Sequence, residues 1–156
     1  MGRTFEQFRA GEVFLTPRRT ITEADIGAFA GLTGDYNPLH TDEIYASATA
    51  FGGRVAHGPM LIGIAFGLMS RLDLLDGTAL GLLGLDWTFK QPVRPSDAVL
   101  ARVEVLDVVP GKSGDRGVVS LKIALLNQSD DLVQQGHAKV LVRGAGSATQ
   151  IREVQI

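Results

Sequence analysis

A chain of 156 residues is the length of one domain, enough to bury roughly two thirds of the surface its unfolded form exposes, so it needs no covalent staple. With 15 basic against 17 acidic residues and no basic stripe, nucleic acid is a poor partner. The lack of cysteine excludes disulfides, thiol nucleophiles and Cys-bound zinc together.

Met1 to Ala10 carries Arg3, Glu6 and Arg9 and lacks the apolar core of a signal peptide. The longest apolar run, Met60 to Met69, is about half the ~20 residues a bilayer span needs. The expectation is a soluble, cytoplasmic protein with no membrane contact.

Glu12 to Ile21 has β-rich character, with Pro17 marking an edge position or a break. Thr22-Glu23-Ala24-Asp25 opens a helix, with Thr22 as N-cap and Asp25 in a capping-box position. Ile26, Phe29, Ala30 and Thr33 follow at helical spacing, and Gly34 fits a C-cap with positive φ. Asp42 to Ala50 reads as a second short helix capped by Thr41, and Phe51-Gly52-Gly53-Arg54 breaks it. Pro59 sits where a first-turn proline is welcome, so Gly58 to Leu72 is read as a helix. It is apolar nearly all round and so buried, with Gly63 and Gly67 forming a flat stripe for a sheet or partner to approach.

After Asp76-Gly77 the period changes from 3.6 to 2. Leu83, Leu85, Trp87 and Phe89 alternate with polar or small residues, and Trp87 and Phe89 are expected in the core. A turn at Arg94-Pro95-Ser96-Asp97 precedes a strand with Val99, Ala101, Val103 and Val105 on one face. Pro110 to Gly117 is a polar turn, Val118 to Asn127 a strand, and Ser129-Asp130-Asp131 the next turn. Leu132 to Val142 is the last strand, with Val133, Gln135, His137 and Lys139 on one side. Gly144 to Thr149 reads as a loose tail. The fold class is therefore α+β: a long apolar helix wrapped by a curved antiparallel sheet.

The stretch with most chemistry is Gly34-Asp35-Tyr36-Asn37-Pro38-Leu39-His40. Pro38 disfavours helical geometry at Asn37 and fixes its own φ, so no helix runs through this segment. A turn there brings Asp35 and His40 together, with Asn37 capping it. A carboxylate and an imidazole on a stiff backbone suit acid–base work near neutral pH. Seventeen residues after His40, His57-Gly58 opens the apolar helix. A glycine at that end offers an unpaired N–H at the positive end of the helix dipole, a natural oxyanion hole. His57 itself reads as structural rather than catalytic.

Gly34-Asp35-Tyr36-Asn37-Pro38-Leu39-His40, then Ala46, Phe51 and Val55-Ala56-His57-Gly58, resemble the signature of the MaoC-like, (R)-specific enoyl-CoA hydratases. The resemblance extends to Asp86-Trp87-Thr88-Phe89-Lys90-Gln91-Pro92-Val93. It implies a hot-dog fold over residues 1–145, a C-terminal tail over 146–156, and a homodimer or dimer-based oligomer. It also implies that Asp35 and His40 are the catalytic pair adding water syn to an enoyl thioester, that Asn37 orders the turn, and that Gly58 supplies the oxyanion donor. No cofactor and no metal are implied. Tyr36 and His57 are candidate substrate contacts, and Arg54, Lys90 and Arg94 are candidates to meet the CoA phosphates. Gly52-Gly53 and the hydroxyl-free Met60, Ile62 and Ile64 depart from some members and leave the acyl group open.

Rival readings are a hot-dog acyl-CoA thioesterase and a non-catalytic acyl-CoA-binding subunit. Other signals are weaker. Pro110-Gly111-Lys112-Ser113 lacks the first glycine of a P-loop, since Leu106 stands there. Gly81 and Gly84 precede no helix and make no dinucleotide fingerprint. His40, Asp42, Glu43 and His57 fit no standard metal spacing. His137 reads as an exposed or rim residue.

Overall fold

The computed structural model describes residues 1–147, so residues 148–156, most of the expected tail, lie outside the described residues. After one 3-10 turn at Phe5–Gln7 come two short strands, β1 (Val13–Leu15) and β2 (Arg19–Thr20). Three helices follow, α1 (Glu23–Thr33), α2 (Pro38–Thr41) and α3 (Glu43–Ser47), and then the long helix α4 (Gly58–Ser70). The remaining described residues hold four strands: β3 (Ala79–Phe89), β4 (Ala98–Pro110), β5 (Arg116–Leu126) and β6 (Leu132–Arg143). The sheet order is β1-β4-β5-β6-β3, every pair antiparallel, with β2 also on β4.

Local chemistry sets the boundaries. Pro17 lies between β1 and β2, so the β-rich start is two short strands. Thr22 Oγ1 accepts the Asp25 N–H at 3.2 Å and Asp25 returns a bond to the Thr22 N–H at 2.8 Å, closing the capping box of α1. Gly34 ends that helix at φ 78°, and its N–H reaches Ala30 O at 2.8 Å.

The second helix differs from the sequence reading. Asp42, not Thr41, caps α3 by accepting the Tyr45 N–H at 3.0 Å, and α3 stops at Ser47. Thr41 closes α2 instead, its hydroxyl donating to the Tyr36 and Asn37 carbonyls.

Helix α4 buries Met60, Leu61, Ala65, Leu68 and Met69 against an apolar sheet face that includes Val99, Ala101, Val103, Val105, Ile123 and Val140. It is not covered all round. Gly63 and Gly67 are exposed, with no atom within 4 Å of where a Cβ would stand, so neither sheet nor helix approaches that stripe among the described residues. It faces an open apolar groove that also has Phe29 and Leu32 of α1 on its wall.

Strand β3 also departs from expectation. It is a sheet edge, bonded to β6 alone among the described residues, and Leu80, Leu82, Leu83, Leu85 and Phe89 are exposed while Trp87 is half-buried. Phe89 is therefore not core. On β6 the expected polar face also breaks: Leu126 pairs with Leu132 and Leu125 with Gln134, and the odd residue Val133 is buried. Gly144 to Ser147 is not loose, because Gly144 donates to Asp115 O at 2.7 Å and Ala145 to the Glu6 carboxylate at 3.1 Å.

Candidate active site

The turn between α1 and α2 is stiff for identifiable reasons. Asn37 Oδ1 accepts the Leu39 N–H at 3.0 Å, making Asn37 the N-cap of a helix whose first residue is Pro38. A helix thus begins at Pro38, while none runs through the turn. The cap sets His40 on α2, where its Nδ1 lies 2.7 Å from Val55 O. A carbonyl only accepts, so Nδ1 carries a proton, and in the neutral ring the lone pair lies on Nε2.

His57 is the N-cap of α4 by backbone geometry and is 1% exposed. Its Nε2–H donates to Asp35 O at 2.9 Å; the Asp35 carboxylate is farther, at 4.0 Å. Its ring lies against His40 with centroids 3.8 Å apart and planes 30° apart. Phe29 of α1 closes on its ring at 5.0 Å. His57 thus braces the Asp35 backbone and the His40 ring at once, a closer part in the site than sequence suggested. Its buried Nδ1 has no partner among the described residues.

Asp35, His40 and His57 each place one donor atom within 4.8 Å of the others. Such a cluster could hold a cation, although two of its four ring nitrogens already give their protons to carbonyls. Asp42 and Glu43, grouped with these histidines in sequence, do not join: Asp42 caps α3 and Glu43 binds Arg54.

Gly58 is the first residue of α4, so its N–H has no preceding turn to accept it. His40 and Gly58 line one largely apolar cavity of about 310 Å³, with Phe51, Leu61, Phe89 and Gln134 among its other walls. Asp35 stands beside His40, with its side chain half exposed. A Cβ on Gly58 would lie 2.8 Å from Phe89 Cε1, so glycine fits there and larger residues do not without moving that ring.

The remaining sequence candidates divide. Lys90 is exposed on the cavity wall. Arg94 braces the loop after α3, its guanidinium donating to Phe51 O. Tyr36 is exposed, its hydroxyl back over Gly31 of α1. Arg54 needs revision as a phosphate contact: its guanidinium donates to both Glu23 oxygens and to Glu43, each at 2.8 Å. Hydrogen bonds donated to Glu43 and then to Glu23 raise the Arg54 pKa, and the bond from Arg54 is the main cause lowering that of Glu43. Arg54 therefore ties α1 to α3 and stabilises the turn between them.

Sequence reasoning missed Gln134, buried at 2% exposure. The available signal was a polar residue sharing strand parity with Gly136, Ala138 and Val140.

The family model described as MaoC like domain matches residues 5–125. The chain is 34% identical over 142 residues to an (R)-specific enoyl-CoA hydratase of Rhodospirillum rubrum, covering 91% of this chain and 93% of that one. A 42% identical stretch of 100 residues, 64% of this chain, matches Protein MaoC of Klebsiella aerogenes, of whose length it spans only 29%. Among solved structures, one described as a monoamine oxidase regulatory protein from Archaeoglobus fulgidus superimposes with a TM-score of 0.86 at 33% identity, over 92% of this chain and 95% of that one. The wrapped helix is the hot-dog fold. With a family model matched over most of its length and a 34% identical relative aligned almost end to end, the chain belongs to the MaoC-like dehydratase family.

Proposed function

We propose that the protein adds water to a trans-2-enoyl-CoA, giving the (R)-3-hydroxyacyl thioester, or runs the reverse dehydration. The observation that carries this reading is the meeting of three features: a carboxylate beside an imidazole with a free Nε2, a free helix N-terminal N–H, and one apolar cavity touched by both His40 and Gly58. His40 is fixed in the tautomer a base requires, because Val55 O holds the Nδ1 proton. Asp35 and His40 hold one water between them. Its oxygen bonds to C3, its proton passes to the pair, and the pair returns a proton to C2, so no proton is gained or lost overall. Both groups come from one turn and act on one face of the substrate, which makes the addition syn. The Gly58 N–H receives the thioester oxygen as enolate-like charge gathers on it, aided by the α4 dipole.

Lys90, on the cavity wall, is the cation suited to the CoA phosphates, with Arg94 next along the chain. The exposed edge of β3, with its row of leucines, suits a second copy of the chain, so the working unit is a homodimer. No helix among the described residues is long and apolar enough to cross a membrane.

The test is purified protein with crotonyl-CoA. Loss of enoyl absorbance without release of free thiol supports hydration. Free thiol points to a thioesterase, and binding without turnover points to an acyl-CoA-binding subunit.

A further inference from the structure

Gly58 is held from both sides. On its N-terminal side, His57 is buried, stacked on His40 and bonded to Asp35 O. On its C-terminal side the Gly58–Pro59 peptide is gripped by Gln134, whose side-chain N–H donates to Gly58 O at 3.2 Å. The other end of that amide accepts the Trp87 indole N–H at 2.8 Å. An indole N–H only donates and a carbonyl only accepts, so the amide can be oriented in one way only. The indole reaches Gln134 because Gly136, opposite Trp87 on β6, has no side chain: a Cβ there would stand 2.1 Å from Trp87 Cε3.

A glycine followed by proline has its own φ and ψ as the remaining soft hinge. The side-chain bond from Gln134 removes that freedom at the residue whose N–H must meet the thioester oxygen.

We propose that Gln134 is a positioning residue for Gly58, and that the Trp87–Gln134–Gly58 chain makes the indole a reporter of occupancy at that N–H. Gln134 also lines the cavity, but its amide is committed to Gly58 O and to Trp87, and it acts through Gly58. A buried amide with both partners satisfied is the kind of network that rigidifies its surroundings, and leaving either partner unpaired is costly. The kinetic part rests on the hydratase reading, whereas the spectroscopic part needs only that an acyl-CoA binds.

Trp87 is the single tryptophan, so intrinsic emission reads it without labelling. Butyryl-CoA, which has no double bond to hydrate, is titrated into the wild type and into Gln134→Leu. The wild type should show a saturable emission change that is absent in Gln134→Leu at equal occupancy by calorimetry. With crotonyl-CoA, Gln134→Leu should lower kcat by about 10-fold or more with KM within about threefold, the pattern of a misplaced transition-state donor.

Gln134→Glu supplies the rescue. Protonated, it accepts from Trp87 and donates to Gly58 O; ionised, it has no proton to donate. Its kcat relative to wild type should therefore rise as pH falls, and burial brings that titration within reach. His40 and Lys90 line the same cavity in both proteins, so the trend is read as a ratio to wild type at each pH.

Wild-type emission unmoved by saturating butyryl-CoA, or a Gln134→Leu kcat equal to wild type, overturns the proposal. If Gln134→Leu does not fold, the pH trend of Gln134→Glu decides, and a flat ratio overturns it. A wild type that hydrates nothing yet shows the emission change removes the hydratase reading and leaves the wiring standing.

Discussion

Replacing Gly58 by alanine separates what this position does for the fold from what it does for chemistry. The added Cβ would stand 2.8 Å from Phe89 Cε1 and 3.0 Å from Cδ1, where ordinary contact begins at 3.4 Å, so the ring must retreat by about 0.6 Å. Phe89 is 53% exposed on an edge strand, and its ring can swing outward with little loss. Alanine also favours helix over glycine by up to ~1 kcal/mol, less at a first-turn position. The two effects oppose, and the expected change in unfolding free energy is within about 1 kcal/mol. Activity should respond very differently, because the methyl occupies the approach to the N–H and shifts the donor. Loss of one oxyanion donor costs about 100-fold or more in kcat.

The assay pairs crotonyl-CoA turnover with a thermal melt, using Gly58→Ala alone and combined with Phe89→Ala. Both variants should be slow and folded. Turnover of Gly58→Ala within about threefold of wild type would refute the reasoning. Recovery in the double variant would mean that the displaced ring, not the obstructed N–H, caused the loss.

Asp35→Asn and His40→Ala should each lower kcat by at least ~100-fold with the fold intact by circular dichroism, in keeping with general acid–base contributions. For Asp25, burial raises the pKa, but bonds from the Thr22 N–H and hydroxyl and the Arg19 charge outweigh it and hold the carboxyl below its ordinary value. A carboxyl depressed in the folded state stabilises above its unfolded pKa, and that stability is lost as pH falls through the folded value. Asp25→Asn should therefore lower Tm at pH 7, and the gap should narrow as melts are taken down toward about pH 3. Leu83→Arg, on the exposed edge of β3, should halve the mass measured by light scattering; an unchanged dimer mass would count against that edge as the interface.

Much of the scaffold is readable from local chemistry. Thr22, Asp25 and Gly34 announce the ends of α1 because caps and positive φ are settled by neighbouring backbone alone. The alternation of Val99, Ala101, Val103 and Val105 marks a strand with one buried face. Asp35 and His40 can be placed together because Asn37-Pro38 restricts the chain between them.

What escaped depends on long-range neighbours. No pattern in β3 tells that it will be an edge, so Phe89 reads as core although it covers Gly58. Val133 looks polar-facing until the register slip with β5 turns it inward. Arg54 looks like a free cation until folding brings Glu23, 31 residues away, against it. His57 acquires its part only when α4 meets α1 and α2, and Gln134 only when α4, β3 and β6 meet.

The most direct measurement is the stereochemical course of hydration. Crotonyl-CoA is turned over in deuterated water by the purified protein, and the product's configuration at C3 and deuterium placement at C2 are read by NMR against standards. One turn acting on one face predicts hydroxyl and deuterium added syn, and the likeness to (R)-specific hydratases predicts (R)-3-hydroxybutyryl-CoA. An (S) product, anti addition, or acid and free CoA without hydration would contradict it.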